Sequence, residues 1–173
     1  MGDTWFTPAR LVRIVALTVL GLFAIFLEAA PVGLAPDAYP SPDLLFCLVA
    51  YWSVRRPGTA VLPVVWGLGV ARDLLTDLPV GAGALGLVLV SRFLRSLGTG
   101  LARRGFVTEW TLIATLHALF LAGQWLLVVL LLSYPPYLLD LAYQWALTMA
   151  LYPVVALVLR WLFRISWRRI EPV

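Results

Sequence analysis

Thirty consecutive residues, from Trp110 to Leu139, contain no charged side chain. A helix needs about 20 apolar residues to cross the ~30 Å hydrocarbon core of a bilayer, so this stretch is long enough to span a membrane. The rest of the chain agrees, since 62% of its 173 residues are hydrophobic, 13% are charged and the mean hydropathy is +0.93. Soluble domains are nearer half apolar and a quarter charged. These values exclude a water-soluble globule and predict an integral membrane protein.

Uncharged stretches bounded by prolines, glycines and charges divide the chain into six predicted helices, which form one membrane domain over residues 1–173. Their approximate ranges are 11–30, 43–56, 58–77, 80–97, 108–133 and 141–163. The prolines at 31–42 predict a loop, and those at 134–137 predict a tight turn. The second helix is the weakest span, because its residues reach only about 21 Å. Six spans use ~120 residues, which leaves no length for a folded soluble domain.

The basic residues predict how the bundle is oriented, and all thirteen of them are arginines. If the N-terminus is cytoplasmic and the chain crosses six times, twelve arginines fall on the cytoplasmic side and only Arg72 falls outside. This distribution satisfies the positive-inside rule, so we expect both termini in the cytoplasm. The net charge of +4 then reflects topology, and nucleic-acid binding is not expected.

Polar side chains inside the predicted helices need a partner or a function, because a charge in the hydrocarbon region is costly. We predict an intramembrane polar cluster made of Glu28, Arg72, His117, Gln124 and Gln144. Arg72 is expected to pair with Glu28 or with Asp77. The cluster is open to two interpretations: an ion-paired and hydrogen-bonded cap on the outer end of the bundle, or a polar pocket or partner-docking site.

No catalytic constellation is recognisable in the sequence. The HExxH, GxSxG and Walker A patterns are absent. His117 is the only histidine, so a metal site or a proton relay would lack a second imidazole. We therefore predict a protein that is not an enzyme and that holds no metal or cofactor.

Small residues and one proline predict features of the helix packing. Gly67 with Ala71, and Ala82 with Gly86, are spaced four apart, which favours close packing of the third helix on the fourth. Pro153 predicts an interruption of the last helix that frees a backbone carbonyl near Met149.

The segment from residue 42 to residue 85 carries a series of short motifs. It reads Pro42-Asp43-Leu44-Leu45, Tyr51-Trp52, Arg56-Pro57, Gly69, Asp73-Leu74-Leu75, Pro79-x-Gly81 and Ala84-Leu85. This series resembles the MreD family, the rod-shape-determining inner-membrane proteins of bacteria. Chain length, six predicted spans, the Tyr152-Pro153 pair and the basic tail are similar as well. By matching position, the family motif residues of this chain are Pro42, Asp43, Gly69, Asp73, Pro79 and Gly81.

The resemblance implies a non-catalytic scaffold of the elongation complex in the bacterial inner membrane. Such a scaffold binds an MreC-type protein and helps to organise peptidoglycan synthesis and cell shape, with indirect links to MreB, RodA and a class B penicillin-binding protein. The resemblance also implies a fold similar to the substrate-binding subunits of energy-coupling-factor vitamin transporters. We expect Asp73 and the Pro79–Gly81 turn to shape an outer surface that engages partner helices.

The alternative is that the chain is itself the substrate-binding subunit of such a vitamin transporter. Glu28, Asp73, Gln124 and Gln144 motivate this alternative, because they could converge in the outer half of the bundle. Those subunits present small residues on the inner half of the first helix, where residues 11–20 offer only Ala16. An intramembrane enzyme is a third and weaker interpretation.

Overall fold

The computed structural model describes residues 8–29, 41–75, 80–103, 105–132 and 137–167, and these residues form six α-helices and no strand. The helices are α1 (Pro8–Ala29), α2 (Leu44–Arg55), α3 (Leu62–Asp73), α4 (Ala82–Arg103), α5 (Phe106–Leu132) and α6 (Leu138–Trp167). Among them, α1, α5 and α6 are long and apolar enough to cross a membrane. The predictions of an all-helical fold and of a membrane protein are confirmed at this level.

The helix bounds differ from the predicted ones most clearly in α3 and α4. α3 begins at Leu62 instead of residue 58, because a turn follows α2, in which the N–H groups of Thr59 and Ala60 donate to the carbonyl of Arg56 at 3.0 and 3.3 Å. It ends at Asp73 instead of 77. α4 continues to Arg103 instead of 97, since hydropathy marks where a bilayer ends and not where backbone hydrogen bonding ends. The predicted loop at 31–40 and the prolines at 135–136 lie outside the described residues.

α2 is the central helix of the bundle. Nine of its twelve residues are buried, and it packs against α1, α4 and α6. Around it, α3 packs on α1 and α4, and α5 lies between α4 and α6. A helix surrounded by other helices needs neither a polar face nor full contact with lipid. This position explains why the weakest predicted span is apolar all round and only about 18 Å long.

α3 and α4 pack closely, as predicted, but through a different glycine. A Cβ atom on Gly69 would lie 2.5 Å from the Cα of Ala84, whereas a Cβ on Gly67 would meet nothing within 4 Å. Gly86 contacts Phe120 of α5 and not α3. The four-residue spacing finds a stripe of small residues, but the direction in which the stripe faces depends on how the helices are rotated.

Pro153 does not interrupt the last helix as predicted, because α6 is continuous from Leu138 to Trp167, and the carbonyl that the proline frees is bound by a neighbouring helix. Because proline has no N–H, the carbonyl of Met149 loses its donor within the helix. The indole Nε1 of Trp110 on α5 donates to this carbonyl at 3.0 Å. The Nε1 of Trp145 on α6 donates in turn to the carbonyl of Ala114 on α5 at 2.9 Å. Two tryptophans therefore join α5 to α6.

Candidate functional site

Contacts between helix ends define two ends of the bundle. At one end, named here the Asp43 end, α1 and α3 end while α2 and α4 begin. At the other, the Arg55 end, α2 ends and α5 begins. Most of the predicted site residues lie at the Asp43 end.

Asp43 connects three helices at the Asp43 end, because it contacts α2, α3 and α6. It is the N-cap of α2, where its Oδ1 accepts a hydrogen bond from the N–H of Phe46 at 2.7 Å. Its own N–H donates to Oγ1 of Thr148 on α6 at 2.9 Å. Pro42 precedes it and accepts a hydrogen bond from the N–H of Leu44 at 3.0 Å. The start of α2 is thereby tied to α6, and the second carboxylate oxygen of Asp43 is left for an ion pair.

Arg72, a buried residue of α3, lies between two carboxylates. Its Nη1 is 2.9 Å from Oδ2 of Asp43, and its Nε is 3.6 Å from Oε2 of Glu28 on α1. The other oxygen of Glu28 accepts a hydrogen bond from the N–H of Leu45 at 2.9 Å. The structure thus contains the predicted Glu28–Arg72 pair, but the closer partner is Asp43, which had not been predicted to pair with it. Asp77 lies outside the described residues.

His117 of α5 lies beside this ion-pair network. Its Nε2 is 3.8 Å from Oδ2 of Asp43, which is longer than a hydrogen bond, and its ring packs on Phe46 with the centroids 4.5 Å apart. Neither ring nitrogen has a hydrogen-bond partner in the described part of the chain. Within the same residues, no group of three or more metal-ligating side chains occurs.

A small cavity adjoins the ion-pair network. Its polar lining comes from Glu28, Ser41, Asp43, Arg72 and Gln144, and its volume is about 110 Å³. Pockets for small molecules usually measure about 300–1,000 Å³, and a water molecule takes about 30 Å³. The cavity formed by the described residues therefore has room for a few waters and is too small for a vitamin.

Asp73, the other acidic residue of the family motif, caps α4. Its Oδ2 accepts hydrogen bonds from the N–H groups of Gly81 at 2.9 Å and Ala84 at 3.1 Å. Gly81 has φ +95°, a conformation that residues with a Cβ rarely adopt. Gly69, Asp73 and Gly81 therefore build the connection between α3 and α4, while Pro79 lies outside the described residues. That this turn engages partner helices stays a prediction.

The five residues of the predicted polar cluster do not all meet. Glu28 and Arg72 pair, His117 adjoins them through Asp43, and Gln144 lines the same cavity. Gln124 lies apart from them, beside Gly83 of α4. Its spacing of seven from His117 places both on one face of α5, but about 10 Å apart along the helix, so their neighbours differ.

A buried carboxylate at the Arg55 end was not predicted. Oε2 of Glu109 on α5 is 2.6 Å from Nη2 of Arg55 on α2, and its Oε1 accepts a hydrogen bond from the hydroxyl of Tyr152 on α6 at 2.9 Å. The side chain of Glu109 is 1% exposed. The sequence does contain a signal for Glu109, which is its negative charge. It lies at the predicted cytoplasmic start of a helix, where the other charged residues are arginines.

No protein-family model, curated protein or solved structure matches the chain. These comparisons favour no class of function over another. The function is therefore inferred from the motif residues and from the geometry of the two ends.

Proposed function

We propose that the protein is a non-catalytic scaffold of the MreD type, which binds an MreC-type protein in the elongation complex of the bacterial inner membrane. Through that partner it would be linked to MreB, RodA and a class B penicillin-binding protein, and would help to organise peptidoglycan synthesis and cell shape. All six helices cross the membrane in this proposal, in an arrangement similar to the substrate-binding subunits of energy-coupling-factor transporters.

The Asp43 end faces outward in this proposal, and both termini lie in the cytoplasm. The distribution of arginines supports this orientation. Toward the Arg55 end lie Arg10 and Arg13 at the start of α1, Arg55 and Arg56 at the end of α2, and Arg160 in the last part of α6. Basic residues concentrate on the cytoplasmic side of membrane proteins.

The observation that carries the scaffold proposal is that the charged side chains at the Asp43 end pair with one another. Arg72 pairs with Asp43 and Glu28, and Oδ2 of Asp73 accepts hydrogen bonds from the N–H groups of Gly81, just before α4, and of Ala84 in its first turn. A site built for a substrate directs a few polar groups into an open pocket. Within the described residues, the polar groups join the helix ends around a small cavity, which supports a structural role with function on the outer faces of the bundle.

The alternative, a vitamin-binding transporter subunit, is favoured by one observation: the small cavity at the Asp43 end is polar, and Gln144 of α6 contributes to it. To hold a vitamin, the cavity would have to grow from about 110 Å³ to at least about 300 Å³. That growth would separate Arg72 from its carboxylates, at the cost of exposing buried charges.

The two functions can be separated by what the protein binds. Purified in mild detergent from cells that co-express the MreC-type protein of the same bacterium, the tagged protein is expected to recover that partner in stoichiometric amounts. A tagged single-span membrane protein unrelated to cell shape, expressed at the same level, serves as the control. Recovery of the protein alone, or with an ABC-type ATPase, would contradict the scaffold proposal.

Thermal unfolding of the purified protein with a panel of vitamins tests the alternative directly. We expect no vitamin to raise the unfolding temperature, because the described cavity is too small to bind one. A large shift with a single vitamin, saturating at micromolar concentration, would favour the transporter subunit.

A further inference from the structure

Basic side chains from three helices meet at the Arg55 end. A buried apolar cluster joins α1, α2 and α6 there, and it includes Leu17, Trp52 and Leu159. Arg13 lies one helical turn before the first of these residues, Arg56 one turn after the second, and Arg160 directly after the third. Since residues four apart lie one above the other on a helix, the arginines extend from this cluster toward the same end of the bundle.

The charges of these arginines act on one another and on a shared neighbour. Arg13 lies close enough to Arg56 for the two positive charges to repel each other. Tyr51, which is half-buried on α2, lies within electrostatic range of both Arg56 and Arg160. An anion among these groups would turn their repulsion into attraction.

The described part of the chain offers little negative charge at this end. Glu109 is the only acid there among the described residues, and its buried carboxylate already pairs with Arg55. Arg95 of α4 adds a further guanidinium, which donates to the carbonyl of Ala60 at 2.8 Å in the turn after α2. This excess of positive charge indicates that the ligand of the arginines is anionic.

The arginines lie where a charged surface meets an apolar, exposed one. α1 and α6 are two of the three helices that are long and apolar enough to cross a membrane. Val12 beside Arg13 and Val158 near Arg160 are 60% and 55% exposed. Trp161 is exposed as well, and tryptophan is typical of the level of the lipid headgroups. A ligand that fits this surface is anionic at one end and apolar along the rest.

We propose that Arg13, Arg56 and Arg160 bind the phosphate of an anionic phospholipid, whose acyl chains lie along the exposed apolar side chains of α1 and α6. A guanidinium forms two parallel hydrogen bonds to a phosphate, and the hydroxyl of Tyr51 can donate another. Basic pockets between transmembrane helices bind such headgroups. A free phosphate ion would leave the apolar side chains unused, and a zwitterionic lipid would bring a cation among the arginines. This inference does not rest on the proposed function.

Lipid binding to the purified protein tests the proposal. The protein in a neutral detergent is titrated with phosphatidylglycerol, phosphatidylcholine or inorganic phosphate, and bound lipid is counted by native mass spectrometry while thermal unfolding is followed. We expect phosphatidylglycerol to bind and to raise the unfolding temperature, and the other two to do neither. Equal binding of phosphatidylcholine would overturn the proposal, and so would stabilisation by inorganic phosphate equal to that by the lipid.

Removing single charges tests which arginines form the site. Arg160→Gln should bind phosphatidylglycerol about fivefold more weakly, and the double variant Arg56→Gln/Arg160→Gln about 30-fold. Arg92→Gln is the matched control, because it removes an exposed arginine from α4, a helix that packs on α2, α3 and α5. We expect the control to bind the lipid as tightly as wild type.

Unfolding without lipid shows whether the variants keep the fold. Arg160 is exposed, so Arg160→Gln is expected to unfold like wild type in the absence of lipid, and it decides alone if the double variant does not fold. Equal weakening by Arg92→Gln and Arg160→Gln would show a diffuse attraction of charges and overturn the site. Stabilisation by a polyglutamate peptide but not by the lipid would overturn it as well, in favour of an acidic protein segment. Failure to recover an MreC-type protein would contradict the proposed function and leave this inference standing.

Discussion

Arg72 illustrates how a membrane protein keeps ionised side chains inside a helical bundle. The carboxylates of Asp43, which is buried, and of Glu28, which is partly buried, both contact the guanidinium of Arg72, and both also accept a backbone hydrogen bond at the start of α2. Such a network is stable only when its members are paired, because the desolvation of each charge is costly. The sequence predicted the Glu28 pair from charge alone. The Asp43 pair depends on the packing of α2 against α3, which no local pattern encodes.

Arg72→Met should therefore destabilise the protein by about 3–5 kcal/mol, because it leaves the buried carboxylate of Asp43 and the partly buried one of Glu28 without their cation. Equilibrium unfolding in mixed detergent measures the change. Arg160→Met is the control, since Arg160 is exposed in the last part of α6, toward the Arg55 end, and its replacement is expected to be nearly neutral.

The double variant Arg72→Met/Asp43→Asn tests whether Arg72 and Asp43 stabilise the protein as a pair. The double variant should lose less than the sum of the two single losses, because removing one carboxylate relieves the charge that the missing arginine leaves behind. Strict additivity would show that the two side chains do not share a network.

At the scale of the helices, the central position of α2 and the close contact of α3 with α4 determine which residues can change. α2 is apolar on all sides because helices surround it, and this explains a span that looks too short from its sequence. α3 and α4 are in contact at Gly69 and Ala84. Asp73, at the end of α3, caps the start of α4. Small-residue spacing indicated that the two helices meet, but it selected Gly67, which faces open space.

Gly69→Ala and Gly67→Ala form a matched pair on the same helix. At Gly69 the new Cβ would overlap the backbone of α4, so we expect a loss of about 1–3 kcal/mol. At Gly67 the change should be neutral or stabilising by up to about 1 kcal/mol, because alanine favours a helix. Unfolding of both variants in the same detergent checks this, and equal effects would refute the assigned contact.

At the scale of the whole molecule, the two ends differ in charge and in chemistry. The Asp43 end carries two acids around one arginine, whereas Arg10, Arg13, Arg55, Arg56 and Arg160 lie toward the Arg55 end with one buried acid, Glu109. This asymmetry is what an oriented membrane protein requires. Under the proposed scaffold function, partners would therefore bind the outer faces of the helices.

The orientation can be measured with an impermeant maleimide on intact cells. A cysteine at Val80, exposed at the Asp43 end, should be labelled from outside. A cysteine at Gly58, exposed in the turn between α2 and α3, should be labelled only after the membrane is permeabilised. The native Cys47 is buried, so the wild-type chain is the unlabelled reference. The reverse pattern would contradict the proposed topology.

The sequence by itself determined the solvent, the class and the rough number of elements, because these follow from how many apolar residues stand in a row and where charges interrupt them. The sequence also identified Asp43, Gly69, Asp73 and Gly81 as candidate site residues, because they match the motifs of the family that the chain resembles. Only the tertiary structure decided that Asp43 pairs with Arg72 and that Gly69 faces α4. The same holds for the hydrogen bond from Trp110 to the carbonyl that Pro153 frees, and for the burial of Glu109. The physical reason is that a bilayer makes lipid-facing and buried apolar residues look alike in sequence, so the rotation and neighbours of each helix are set by packing alone.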